Sequence, residues 1–288
     1  MVGLCFVASV TGAFAQEVLL GTQGSSSNPG VLFQIDPTTG FVTGIGNLVS
    51  STGQPYAITG MGFDNLTGIL YGSTSNLSPT NPGNLVTINP NTGQVTLVGP
   101  FGVGPNNTMA DLTFDTTTGK MFGTWSATGD LYSINLGTGA ATLIGSSGIA
   151  VPFGLGLAAD SAGVLFGTPN GGSGSLVTYN KTNGSVTTVA PLSGSFFSGT
   201  SSINALAFNA AGSLFGINAS GSSARLIQIN DVTGAITDIG PTASRMDAIV
   251  FYNPTAVPEP TTTALLGAGL IFLTRAGFRR YRTRTSAS

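Results

Sequence analysis

The sequence predicts an all-β fold, a five-bladed β-propeller of four-stranded blades, and three observations predict it. A hairpin grammar recurs five times, with turns at Asp36-Pro37-Thr38-Thr39-Gly40, Asn89-Pro90-Asn91-Thr92-Gly93, Asn135-Leu136-Gly137-Thr138-Gly139, Asn180-Lys181-Thr182-Asn183-Gly184 and Asn230-Asp231-Val232-Thr233-Gly234. Asp or Asn suits the first position of a type I turn, and the closing Gly supplies the positive φ that starts the next strand. The turn glycines fall 53, 46, 45 and 50 residues apart. That interval suits four-stranded blades better than the shorter rungs of a β-solenoid, which ranks second. Charged residues are only 7% of the chain, and the abundance of Gly, Ser, Thr, Asn and β-branched residues favours strands and turns over helices.

Taken in order, the chain opens with the apolar run Leu4–Val10 and the small-residue pattern Ala13-x-Ala15. This predicts a signal peptide over residues 1–15, cut between Ala15 and Gln16. No Lys or Arg precedes the run, which points to a true start upstream of Met1; amino-terminal sequencing of the precursor decides the matter.

Residues 17–252 hold the repeats. Before each hairpin lies a strand with an internal glycine, as in Leu20-Gly21, Tyr71-Gly72, Phe122-Gly123, Phe166-Gly167 and Phe215-Gly216. Such a glycine marks a bend or the close approach of another backbone. Before that lies a strand ending Phe63-Asp64, Phe114-Asp115, Ala159-Asp160, Phe208-Asn209 or, last of all, Phe251-Tyr252. The acid or amide there caps a tight turn. The repeats begin without this first strand and end with a lone copy of it, Asp247–Tyr252. The lone strand is therefore expected to become the innermost strand of the first blade, closing the ring and removing an open sheet edge.

After a Pro-rich linker (253–260) comes the apolar stretch Ala264–Leu273, shorter than an ordinary span of about 20 residues. With flanking threonines and snorkelling arginines it is expected to form a short transmembrane helix within 261–284, its basic end in the cytoplasm. Val257-Pro258-Glu259-Pro260, this helix and the cluster Arg279, Arg280 and Arg282 together resemble a PEP-CTERM sorting signal. The resemblance implies an exosortase-type membrane protease as partner, transient anchoring in the inner membrane, processing near the Pro-Glu-Pro motif, and release to the cell surface or extracellular matrix. The hairpins also resemble the propeller repeats of exported PEP-CTERM proteins.

Chemistry is constrained by what is missing. The sequence has no histidine, and its single cysteine, Cys5, falls in the predicted signal peptide. Ser-His-Asp and Cys-His nucleophiles and His-based metal centres are thereby excluded, and no cofactor motif is present. Between Glu17 and Val257 there are four basic and ten acidic residues, a net charge of −6, which argues against a nucleic-acid partner. Asp111 and Asp115 share a strand face roughly 13 Å apart, too far for an inverting glycosidase pair, and Asp115 occupies the repeated turn position.

Asp111 and Asp247 stand apart because no repeat-wide pattern requires an acid there. Both fall near the start of innermost strands, so a ligand rim at that channel mouth is expected from Tyr56, Thr59, Asp111, Phe153, Asn204, Arg245 and Asp247. Polar groups, few charges and an aromatic would suit a sugar. The sequence thus describes a non-enzymatic surface or matrix protein linked to exopolysaccharide. A carbohydrate-binding propeller is the alternative, and an Asp-dependent polysaccharide hydrolase the more distant one.

Overall fold

The computed structural model describes residues 16–24, 30–104, 108–149, 155–169, 174–194, 202–220 and 223–254. The predicted signal peptide with Ala13 and Ala15, Phe153, the sorting motif and the predicted membrane helix lie outside them. The strands run in chain order. The first three are β1 (Val18–Gln23), β2 (Val31–Ile35) and β3 (Val42–Asn47). A second group is β4 (Ile58–Asp64), β5 (Ile69–Thr74), β6 (Asn84–Ile88) and β7 (Val95–Pro100). The third comprises β8 (Met109–Asp115), β9 (Lys120–Trp125), β10 (Leu131–Ile134) and β11 (Ala141–Gly145). A fourth holds β12 (Gly156–Ala159), β13 (Leu165–Thr168), β14 (Ser175–Tyr179) and β15 (Val186–Pro191). The last contains β16 (Ser202–Phe208), β17 (Leu214–Ser220), β18 (Ser223–Ile229) and β19 (Ile236–Pro241), followed by β20 (Met246–Tyr252).

These strands make five four-stranded antiparallel sheets, and β20 completes the first in the order β20-β1-β2-β3. It pairs with β1 from Val18↔Tyr252 to Gln23↔Met246. The fold is the predicted five-bladed propeller with a shared closing blade. The inner strands β4, β8, β12, β16 and β20 neighbour one another in a closed ring. Five apolar clusters fill the five blade interfaces. One joins Leu20, Leu32, Ala248 and Val250 to Ile58, Met61 and Phe63, and its counterpart across the closing blade joins Ile217 and Leu226 to Met246 and Ile249.

All five hairpin turns form as the sequence predicts. The closing Gly amide donates to the carbonyl of the opening Asp or Asn at 2.8–2.9 Å, with φ of 70–81° at Gly40, Gly93, Gly139, Gly184 and Gly234. Each turn also touches the preceding blade. A Cβ on Gly93, Gly139 or Gly184 would strike the backbone of Gly46, Gly99 or Gly145, and one on Gly40 the backbone of Gly240 and Pro241.

The outer strands carry a feature the sequence pattern does not announce. Each has a β-bulge at the same place, leaving Ile45, Val98, Ile144, Val189 and Ile239 as extra residues. A bulge re-aims a side chain, and here each extra residue packs on one of the five interface clusters.

Candidate functional site

The channel is built from the edges of the inner strands. Four of these strands carry a second set of bulges, whose extra residues are Thr59, Ala110, Asn204 and Asp247. The bulge resets the side-chain alternation, so Met109 joins Leu112 and Phe114 in one cluster, as Ile203 joins Leu206 and Phe208. The opposite face then presents Gly60, Asp111, Gly156, Ala205 and Ala248 as one layer. Space explains the small residues: a Cβ on Gly60 would collide with the Asp111 Cα, and one on Gly156 with Ala205.

Asp111 is the one large side chain in that layer, and it is fully buried. Its Oδ1 accepts from Leu112 N–H at 2.9 Å, and its Oδ2 accepts from Leu157 N–H at 3.0 Å and Leu206 N–H at 3.2 Å. These donors belong to three different blades. Burial pushes the Asp111 carboxyl well above the usual carboxylate range, while the amides of Leu157, Leu112, Leu206 and Met61 pull the other way.

Between neighbouring blades runs a second repeated contact. The residue after each strand glycine donates a hydroxyl to a carbonyl at the start of the next inner strand: Thr22 to Ile58, Ser73 to Met109, Thr124 to Leu155 and Thr168 to Ile203, at 2.7–3.2 Å. The fifth interface has Ile217 at this position, packed among apolar neighbours.

Of the predicted rim, Asn204 and Asp247 come together, with Asn204 Nδ2 at 3.5 Å from Asp247 Oδ1. Thr59 is half-buried and donates to the Met109 carbonyl. Arg245 is exposed in the turn before β20, with a left-handed φ of 57°. Two other residues sit elsewhere. Tyr56 lies in the core between blades, its hydroxyl accepting from Asn81 Nδ2, and Asp111 lies below the mouth on the axis.

The opposite mouth holds a cavity of about 250 Å³. Its floor includes Met61, Leu112 and Leu206, whose amides serve Asp111, and its rim carries Asn65, Thr116, Asp160, Ser161 and Asn209 from the turns after the inner strands, with Glu17 from just before β1. Glu17 bridges the first and fifth blades by accepting from Ala210 N–H at 2.9 Å. Sequence reading missed this mouth because its residues look like turn residues, and they are turn residues too. Asp160 accepts from the Ala162 and Val164 amides, and Asn209 Oδ1 from that of Ser213.

Asp115 likewise caps its turn, with the Thr117 and Thr118 hydroxyls donating to it and Lys181 Nζ at 2.7 Å from the next blade. Burial pushes its pKa up, but Lys181 and the two threonines outweigh burial and hold it at about 2. Among the described residues no cluster of metal-ligating side chains occurs, and no helix is long and apolar enough to cross a membrane.

Comparison with known proteins separates body from tail. Residues 256–280 match the family model described as the PEP-CTERM protein-sorting motif. The chain carries a PEP-CTERM sorting signal. It is therefore an exported protein, transiently anchored in the membrane and processed by an exosortase. Residues 57–199, within the propeller of this PEP-CTERM protein, match a model described as a repeat of unknown function (DUF6923). No curated protein matches the chain. Among solved structures, a chain from the crystal structure of a nidogen/laminin complex is 12% identical with a TM-score of 0.53, the match covering 82% of this chain and 98% of that one. A structural genomics protein of unknown function from Bacteroides thetaiotaomicron is 17% identical with a TM-score of 0.49, covering 70% of this chain and 53% of that one. At such identities the first likeness speaks to fold alone.

Proposed function

We propose that this PEP-CTERM protein is a non-enzymatic component of the cell surface or extracellular matrix, with a binding or structural role linked to exopolysaccharide. The sorting signal carries the reading, since it commits the propeller to export. The state of the acidic residues supports a role without catalysis. Asp111 has both oxygens engaged by backbone amides, and Asp115 is held by Lys181 and two hydroxyls. Fractionation of producing cells tests the reading. The wild-type propeller is expected in the extracellular polymer fraction, and a variant with Pro258, Glu259 and Pro260 replaced by Ala is expected to stay with the membrane. Equal distribution of the two proteins would sink it.

A carbohydrate-binding role is the second reading, favoured by the cavity mouth with its ring of amides, hydroxyls and carboxylates. Sugars are bound by such polar groups converging on a preformed concavity. The purified host polymer should raise the wild-type melting temperature, and Asn65→Ala with Asn209→Ala should abolish the increase. An increase that survives both substitutions would place the sugar elsewhere.

A further inference from the structure

Five inner strands meeting around an axis create a problem that one strand alone does not have. Each turns an unpaired edge toward the centre, and an edge exposes backbone N–H groups that need partners when water is excluded. At the level of Met61, Leu112, Leu157 and Leu206 these groups converge on a single point, and that point holds the Asp111 carboxylate. We infer that the axis of this propeller is a binding nest for a small planar carboxylate, built by backbone amides of the inner strands and filled by the chain's own Asp111.

The disagreement among the repeats follows from this. A point on the axis has room for one carboxylate, and two at such close range could not both stay ionised. One blade therefore supplies the acid, and the equivalent positions are Gly60, Gly156, Ala205 and Ala248, which leave the space it occupies. A side chain serving only its own strand would bond its own neighbours, whereas the Oδ2 of Asp111 accepts from the fourth and fifth blades. The nest also lies beneath a surface cavity. Met61, Leu112 and Leu206, which donate to it, form part of the floor of the cavity at the far mouth. Removing the Asp111 side chain should extend that cavity toward the axis.

Asp111→Ala in the purified full chain, titrated with sodium formate and, as an ionic-strength control, sodium chloride, provides the test. Ala already stands at the same position in the fifth blade and in β20, so the backbone accepts it. The variant should melt about 6–12 °C lower than wild type, because buried N–H groups lose their acceptor. Formate should recover at least half of that loss while leaving the wild type unmoved, and chloride should recover less. Asp111→Asn keeps the space filled but turns a donor toward the amides; it should be destabilised and insensitive to formate. An Asp111→Ala protein as stable as wild type, or one that formate raises no more than it raises wild type, overturns the inference. Should Asp111→Ala fail to fold, refolding from urea decides: recovery in formate but not in chloride supports the nest, and recovery in both or in neither overturns it.

Discussion

At the scale of single residues, acids in this molecule are consumed by the architecture. Asp115 shows this best. The chain must reverse after β8, Asp115 caps the reversal, and Lys181 from the neighbouring blade ties the cap across an interface. A carboxyl with an unfolded pKa near 3.8 and a folded pKa of about 2 binds fewer protons when folded. Its contribution is present above the unfolded pKa and is lost as pH falls through the folded one, between about pH 4 and pH 2, and it amounts to about 2 kcal/mol. Asp115→Asn should therefore lower stability at pH 7 by about that amount, while shrinking the gap to wild type near pH 2. Urea midpoints measured across this range check it, and a gap that stays constant with pH would remove the ion pair from the account. The role of Asp115 was readable from the repeats, because its counterparts Asp64, Asp160 and Asn209 share its turn. The surroundings of Asp111 were not. Its singularity could be read from the sequence, but its place on the axis depends on three strands distant in the chain.

Elements reveal why some features were legible and others hidden. The hairpin turn is local, since five consecutive residues contain both the capping Asp or Asn and the Gly with positive φ. It could therefore be read in every repeat. The bulges at Ile45, Val98, Ile144, Val189 and Ile239, and at Thr59, Ala110, Asn204 and Asp247, are not local in that sense. One extra residue flips every later side chain to the other face, so a strict two-residue period assigns part of each strand to the wrong side. Asp111 is expected at a mouth because it falls near the start of β8, whereas its carboxyl meets the amides of Leu157 and Leu206 on the axis. The turn glycines meanwhile do more than turn the chain, because they also let the preceding blade approach. Gly139 and Gly53 separate these two tasks. Both have left-handed φ, 81° and 79°, but a Cβ at Gly139 meets the Gly99 backbone whereas one at Gly53 meets nothing within 4 Å. Gly53→Ala should cost about 1 kcal/mol, the strain of the left-handed region alone. Gly139→Ala should cost about 3 kcal/mol or more, because packed backbone must also move. Comparable losses in chemical denaturation would mean that the blades give way freely at this contact.

For the whole molecule the decisive feature is closure, since each blade buries its two faces only against two neighbours. The strand β20 makes the last of these interfaces possible. It pairs with β1 over its length and places Met246, Ala248, Ile249 and Val250 in the clusters on either side. Phe251 and Tyr252 add edge-to-face contacts with Phe215 and Phe63, at 5.2 and 5.1 Å between ring centroids. Three large apolar side chains buried there, Met246, Ile249 and Val250, count for roughly 5–9 kcal/mol, comparable to the entire net stability of a typical domain. A propeller ending at Arg245 should therefore lose its cooperative monomeric state, as no other blade makes up that difference. β1 (Val18–Gln23), still paired with β2, would then present an open apolar sheet edge of the kind that recruits other chains. On size-exclusion chromatography such a fragment should run as oligomers or aggregate, and a synthetic peptide of residues 246–252 should return part of it to the monomer peak. A fragment that stays monomeric at the wild-type melting temperature would mean that the ring stands open without cost. The clusters on both faces of β20 make the opposite result the expected one, because removing this single strand exposes two of the five interfaces at once.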